Sequence, residues 1–178
     1  MVKAAREYRS SLFYDDRQAF GAKLIAETED NIKRNDKKGL RTAERLNGTT
    51  DYAWEHIRFD GLTMPERFQD VQFYDYTKSV KRARQHANGL MPSNYHLTFS
   101  RSEINDDQVA DVLARGGNVA AVFSTKMGDA LPESYRGRRV IDGRIHDMRF
   151  LDPQGGNWVG LSPIGKAKKG SWGFILEV

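Results

Sequence analysis

Apolar runs that end on polar residues alternate with helical patterns through the middle of this chain, and this alternation constrains the fold most. Four such runs read as strands: Leu40–Leu46, Val71–Tyr76, Tyr95–Phe99 and Asn118–Phe123. Parallel neighbours need a connection long enough for a crossover, and the intervening segments have that length. The last run is almost continuously apolar, as in strands buried on both faces. The sequence therefore predicts an α/β fold with a mostly parallel sheet.

The flanking segments differ from this middle part. Residues 1–38 read as helix, with Asp15 and Asp16 placed to cap or restart it and Gly39 placed to end it. Residues 39–130 carry the βα repeats, and residues 131–178 read as short strands and turns, including Met148–Asp152. We expect a single α/β domain over residues 1–178. It is shorter than the ~250 residues of a closed eight-stranded barrel, so we expect a partial, barrel-like sheet or an open one.

Cysteine is absent from all 178 residues, which excludes disulfides, thiolate zinc sites and iron–sulfur clusters built by this sequence. We expect no cofactor. No apolar run approaches the ~20 residues of a membrane span, and the N-terminus lacks the apolar core of a signal peptide. We therefore expect a soluble, cytoplasmic protein. The net charge of +4 favours anionic partners.

Polar residues collect where the predicted strands end. In βα architectures ligands bind beyond the carboxyl ends of the strands, so these residues should share one rim and suit a phosphate-bearing or other polar ligand. The alternative is that Asp51, Thr77 and Ser100 only cap the following helices. The predicted binding residues are Asn47, Thr49, Asp51, Asp75, Thr77, Lys78, Ser100, Ser124 and Lys126, and Asp142, Asp147 and Asp152 end the later strands.

Two basic clusters are candidates for contact with nucleic-acid phosphates. The first holds Lys78, Lys81, Arg82 and Arg84, and the second holds Lys166, Lys168 and Lys169. Trp158, Trp172 and Phe174 near the second cluster resemble a stacking surface for single strands. The alternatives are an ordinary solvated surface for the lysines and arginines, and a C-terminal strand that packs its aromatic rings inward.

The histidines give only a weak indication of a metal site. His96 and His146, with Asp142 and Asp152, form a conceivable His/carboxylate set, but no recognised spacing supports it and a hydrogen-bonded core histidine is the commoner outcome. We predict no metal site, and we interpret His86 as a surface residue. Phosphate-loop, dinucleotide-binding, zinc-protease and serine-hydrolase motifs are all absent.

Several segments carry a resemblance to a known family: RLNGTTDYAWE (Arg45–Glu55), FQDVQFYDYTK (Phe68–Lys78), NYHLTFSRSE (Asn94–Glu103) and LPESYRGRRVIDG (Leu131–Gly143). The chain resembles bacteriophage and prophage proteins related to the gene-product-88 domain. Members commonly carry an upstream cysteine-rich segment and look similar to barrel enzymes that hold a metal or an iron–sulfur cluster. This chain begins after that position and has no cysteine to build such a centre. The resemblance implies a phage origin and strand ends that lie together.

These observations favour a phage accessory protein that acts by binding. It would either inhibit a host nucleoprotein defence complex, as an anti-CRISPR protein does, or contact nucleic acid directly. An acidic stretch (Asp15, Asp16, Glu27, Glu29 and Asp30) would serve as phosphate mimic for an inhibitor, or is only a solvated helix face. One alternative is an enzyme acting on a nucleotide or nucleic-acid phosphate.

The enzyme hypothesis rests on carboxylates and a lysine of the kind that bind magnesium and phosphate, namely Asp51, Lys78, Asp142 and Asp147. A third hypothesis is a replication helper that binds single strands through the second basic cluster. Because an open sheet leaves edges to cover, a homodimer is also a prediction.

Overall fold

The chain begins with two helices, α1 (Val2–Asp15) and α2 (Arg17–Asp36), in a computed structural model that describes residues 2–165 and 173–178. Asp16 separates the helices, and its side chain accepts a hydrogen bond of 2.9 Å from the Ala19 amide as the N-cap of α2. The predicted restart of the helix is confirmed. Gly39 follows α2 with a φ of 66°, a conformation that glycine adopts without steric cost.

Eight strands within the described residues form one sheet, in the order β1 (Ala43–Glu44), β4 (Gln72–Thr77), β5 (Tyr95–Ser100), β6 (Val119–Phe123), β9 (Trp158–Leu161), β8 (Arg138–Asp142) and β7 (Ser134–Tyr135), with β10 (Ile175–Leu176) beside β6. Every pairing in it is parallel except that of β7 with β8. The sheet stays open between β1 and β7, so the predicted open, mostly parallel α/β sheet is confirmed.

A short antiparallel hairpin and three further helices complete the described elements. The hairpin pairs β2 (Arg58–Phe59) with β3 (Leu62–Thr63). The helices are α3 (Met64–Arg67), α4 (Val80–Ala87) and α5 (Asp106–Ala114), and one turn of 3₁₀ helix spans Arg149–Leu151.

Some local predictions were wrong. The strand predicted over 40–46 is only two residues long, and the segment predicted as a strand at 148–152 contains the 3₁₀ turn. The capping alternative also fails, because Ser79 is the N-cap of α4, Asn105 is the N-cap of α5, and turns follow Asp51. Asp51, Thr77 and Ser100 therefore do not cap the helices that follow them.

The two faces of the sheet are covered by different parts of the chain. On one face α4 and α5 pack on Phe99, Val119 and Trp158, which the strand register places side by side. On the opposite face the ring of Phe150, from the connection between β8 and β9, lies 5.4 Å from that of Tyr74. A second apolar cluster joins α1 and α2 to β4 and β5, and it contains Phe13, Trp54, Phe59, Phe73 and Leu97.

Helix α2 covers the edge of the sheet at β1. Thr28 and Asn31 each donate a side-chain hydrogen bond of 2.8 Å to the Glu44 carboxylate, and Asn35 donates to Thr42. These contacts shield an edge that would otherwise pair with another chain. A homodimer stays a prediction. Among the described helices, none combines the length and the apolar character needed to cross a bilayer.

Candidate functional site

The loops that follow β1, β4 and β5 meet at the carboxyl end of the sheet and enclose a cleft of about 280 Å³. We call this the rim cleft, and it comprises residues 45, 47–51, 76–78 and 100. Six of the predicted binding residues line it together, although they come from three separate parts of the chain: Asn47, Thr49, Asp51, Thr77, Lys78 and Ser100.

Asn47 organises the first loop of the rim cleft. Its Oδ1 accepts hydrogen bonds from Thr50 Oγ1, the Tyr52 amide and Trp54 Nε1 at 2.8 to 3.0 Å. Its own backbone amide donates to Asp75 at 2.7 Å, and its Nδ2 donates to Asp75 at 3.1 Å. Asn47 is buried, so it holds the loop in shape and does not itself present a group to a ligand.

Asp75 lies in the sheet below the rim cleft and is fully buried. Besides the bonds from Asn47 it accepts a hydrogen bond of 2.6 Å from the Tyr95 hydroxyl. Burial raises the pKa of Asp75 to about 6, although the hydrogen bonds from Tyr95 and Asn47 and the charge of Arg82 lower it. Asp75 therefore supports the cleft floor and does not line it.

Asp51 is fixed on both oxygens. Its Oδ1 lies 2.6 Å from Nη1 of Arg82, and its Oδ2 accepts hydrogen bonds from the Lys78 amide at 2.8 Å and from Thr77 Oγ1 at 3.1 Å. Arg82 also forms a bidentate pair with the buried Glu55 at 2.7 and 2.8 Å. This network joins the loop after β1 to the loop after β4, so the two sides of the cleft keep a fixed spacing.

The burial of Arg82 corrects its assignment to the phosphate-binding cluster. It is 5% exposed, and its guanidinium is occupied by Glu55 and Asp51, so no nucleic-acid phosphate reaches it. Burial alone would lower the pKa of Arg82, but the hydrogen bonds that it donates to Glu55 outweigh this effect and the pKa stays above its ordinary value. In the same cluster Lys81 is exposed, and Arg84 is exposed but paired with Asp111 at 2.7 Å.

Two cationic side chains line the rim cleft. Lys78 is exposed, with only its backbone amide used by Asp51. Arg45 lies over the ring of Tyr76, 4.7 Å from its centroid, and pairs with Asp147 at 3.1 Å. Asp147 comes from the connection between β8 and β9 and also accepts a hydrogen bond from the Tyr76 hydroxyl. Sequence reasoning missed Arg45 and Tyr76, although both stand at the ends of predicted strands.

Ser124, Lys126 and Asp142 do not join the rim cleft. The Ser124 amide donates to Leu176, and Ser124 Oγ accepts a hydrogen bond from the Val178 amide, so β10 covers the end of β6. Asp142 is held by Arg144 at 2.7 Å, and Lys126 is exposed beside that pair.

Strand register explains this separation. Ser100 pairs with Ala120, which stands four residues before Ser124, or about 13 Å along the strand. The end of β8 lies four strand spacings from β4, or about 19 Å. The predicted common rim is therefore two separate regions.

The predicted stacking surface is also corrected in part. Trp158 is 1% exposed, and its Nε1 donates a hydrogen bond of 2.9 Å to the Tyr135 carbonyl, so its ring belongs to the core. The inward-packing alternative is right for this residue. Lys166, Lys168, Lys169 and Trp172 lie outside the described residues.

Two histidines, His86 and His96, pack against each other. His96 is buried, and its ring packs edge-on against that of the half-buried His86 with centroids 4.6 Å apart, so the surface assignment of His86 is only partly right. Burial lowers the pKa of His96 to about 3, with smaller contributions from His86 and Arg149. Among residues 2–165 and 173–178 there is no group of three or more His, Cys, Asp or Glu side chains placed to hold a metal ion.

The acidic stretch on the N-terminal helices is largely paired. Asp16 caps α2, Glu27 lies 3.7 Å from Arg9, and Asp30 lies 3.8 Å from Lys33. These contacts favour the interpretation as a solvated helix face over a row of phosphate mimics.

Comparison with known proteins identifies a family for this chain. A family model described as gene product 88 matches residues 1–176. No curated protein and no solved structure matches the chain. Because the family model spans almost the whole sequence, the chain belongs to the gene product 88 family of phage proteins.

Proposed function

We propose that this phage protein acts by binding, and that its ligand is a nucleic-acid strand whose phosphate enters the rim cleft. The observation that carries the proposal is the pair of cationic side chains, Lys78 and Arg45, in a cleft that several hydroxyl groups also line. The carboxylate in its lining, Asp51, is already bonded to Arg82, Thr77 and the Lys78 amide. Phosphate contacts supply most of the affinity of nucleic-acid binding, and lysine and arginine are the side chains that make them.

The state of the carboxylates favours binding over catalysis. A magnesium-dependent enzyme needs carboxylate oxygens that converge on one point. Here both oxygens of Asp51 are used by Arg82, Lys78 and Thr77, and Asp147 is used by Arg45 and Tyr76. The third candidate, Asp142, pairs with an arginine at the far half of the sheet, which supports a fixed scaffold and not a metal centre.

The direct test is fluorescence anisotropy at low salt with two fluorescein-labelled strands of about ten nucleotides, oligothymidine as DNA and oligouridine as RNA. We expect Lys78→Ala to weaken binding and to reduce the slope of log affinity against log salt by about 0.7, the value for one phosphate contact on a single strand. Lys126→Ala is the matched control, because it removes the same charge from an exposed site outside the rim cleft.

Each result decides the proposal. Equal affinities for the parent protein, Lys78→Ala and Lys126→Ala would place the ligand elsewhere and refute the rim cleft as its site. Cleavage of the oligonucleotide on addition of Mg²⁺ would favour the hypothesis that the protein is an enzyme acting on nucleic-acid phosphate.

A host nucleoprotein complex is the competing partner for a phage protein that acts by binding. A pull-down from infected-cell lysate, with and without nuclease, separates the two. We expect nuclease to release the host proteins that are retained, because the nucleic acid that holds them is digested. A host complex that stays bound after nuclease, together with no affinity for either oligonucleotide, would support inhibition of a host defence complex and overturn direct nucleic-acid binding.

A further inference from the structure

The rim cleft does not end at the loop that follows β1. A cavity of about 200 Å³ shares Gly48, Thr49 and Thr50 with it and lies on the other side of that loop. A third cavity, of about 390 Å³, shares Arg9 and Trp54 with the second. We call these two further cavities the hairpin groove, because one of its walls is the helical hairpin formed by α1 and α2; the β2–β3 hairpin is not meant. Its other wall is strand β1 with the loop that follows it.

Cations continue from the rim cleft into the hairpin groove. Arg45 lines both the rim cleft and the third cavity, and Arg9 and Lys23 line the groove beyond it. The groove also contains two carboxylates, Glu27 and Glu44. Glu27 lies 3.7 Å from Arg9 and offsets the charge of that arginine, and Glu44 accepts the two hydrogen bonds from α2. The cations that carry the path are therefore Arg45 and Lys23.

Exposed tyrosines stand beside this path. Tyr8 is 56% exposed, and the Lys23 ammonium lies 5.0 Å from the centre of its ring. Tyr14 is 69% exposed, and its hydroxyl shares a hydrogen bond of 2.7 Å with that of Tyr52, which lines the groove. Aromatic rings next to cations form the surface on which bases of a single strand stack while the phosphates are neutralised.

We propose that the hairpin groove continues the proposed nucleic-acid site, so that a single strand runs from Lys78 past Arg45 to Lys23 and stacks a base on Tyr8. This inference rests on the proposed function of the rim cleft. It adds the class of ligand, a single strand several nucleotides long, and an aromatic contact on α1. Double-stranded nucleic acid has its bases stacked inside the duplex and does not offer one to a tyrosine.

The test is an oligothymidine length series, from the mononucleotide to about sixteen nucleotides, followed by anisotropy or calorimetry. We expect affinity to rise with length and then level off. Tyr8→Ala should weaken binding of the long oligonucleotides about 5- to 100-fold, the loss of one base stack, and should leave the mononucleotide unaffected. Tyr8→Phe keeps the ring and should retain the affinity.

The two proposals fail in different ways. If the mononucleotide binds with dependence on Lys78 but longer strands bind no more tightly, the rim cleft stands and the extension is wrong. If affinity rises with length but Tyr8→Ala equals the parent protein, the strand takes another path and the inference is again wrong. If no length binds, both proposals fall. Leu90→Ala is the control for loss of an exposed apolar side chain, because Leu90 is 72% exposed and lines neither cavity of the hairpin groove.

Discussion

The buried ion pair under the rim cleft gives the sharpest stability prediction. Arg82→Met removes the cation and leaves the carboxylate of Glu55, whose side chain is 3% exposed, buried without a partner. Breaking one side of a buried pair costs about 3–5 kcal/mol. For a chain of this length, each kcal/mol corresponds to about 2–4 °C, so the melting temperature should fall by about 6–20 °C.

The double variant Arg82→Met/Glu55→Met distinguishes a lost attraction from an uncompensated charge. Removing both partners leaves no buried unpaired charge, and such replacements are often close to neutral. We therefore expect the double variant to recover most of the stability. Asp51 keeps its bonds from the Lys78 amide and Thr77, and its side chain is 35% exposed, so water solvates it in the absence of Arg82.

Urea denaturation followed by circular dichroism measures both variants, with Arg84→Met as the control. Arg84 lies on the same helix, but its pair with Asp111 is at the surface, where an ion pair contributes about 0–1 kcal/mol. The reasoning is refuted if Arg82→Met loses less than about 1 kcal/mol, or if the double variant is no more stable than the single one.

Three further predictions concern the interior. Burial raises the pKa of Asp75 from 3.8 to about 6. Between these two values the folded protein retains a proton that the unfolded chain releases. The contribution of the protonated Asp75 to the free energy of unfolding is therefore fully present below about pH 4 and is lost as pH rises through about 6. The parent protein should accordingly lose about 1 kcal/mol relative to Asp75→Asn between about pH 5 and about pH 7 in urea denaturation, and an unchanged difference would contradict the shift. Gly21→Ala should cost about 1–3 kcal/mol, measured by thermal unfolding, because a Cβ there would overlap the ring of Phe59. Asn47→Ala should leave the indole N–H of Trp54 unpaired and cost about 1–3 kcal/mol, with a change in tryptophan fluorescence as a second measurement.

The strands that the sequence predicts correctly are those with local causes. The segments 72–77, 95–100 and 119–123 alternate or run apolar over five or six residues, and their burial follows that pattern. Strand β1 is shorter than predicted, because Leu40 is exposed and α2 sets the position of the edge through Glu44. The residues of a strand do not indicate which helix from elsewhere in the chain will pack against it.

The residues of the rim cleft could also be predicted where local sequence determines their position. Residues at the ends of β1, β4 and β5 converge, because parallel strands end at one edge of a sheet. The failures depend on contacts that are distant in sequence. Arg82 is buried by Glu55 and Asp51, which stand 27 and 31 residues away, and a run of basic residues gives no indication of such partners. Ser124 lies outside the rim cleft because the C-terminal strand β10 pairs with β6 beyond the end of β5.

The two halves of the sheet also differ in how the polar groups at their strand ends are bonded, and this difference supports the proposed site at one half. At the end of β6 the backbone of Ser124 is already bonded to β10, and the Arg144 side chain binds the carbonyls of Lys126 and Asp129. At the ends of β1 and β4 the buried hydrogen bonds of Asn47 and Arg82 lie below the surface, so the loops keep their shape while Lys78 projects into solvent. Rigid loops lose little conformational entropy when a ligand binds, and an exposed cation keeps its charge available for it. At the half of the sheet where the polar groups are satisfied from beneath, the Lys78 side chain therefore stands above loops of fixed shape.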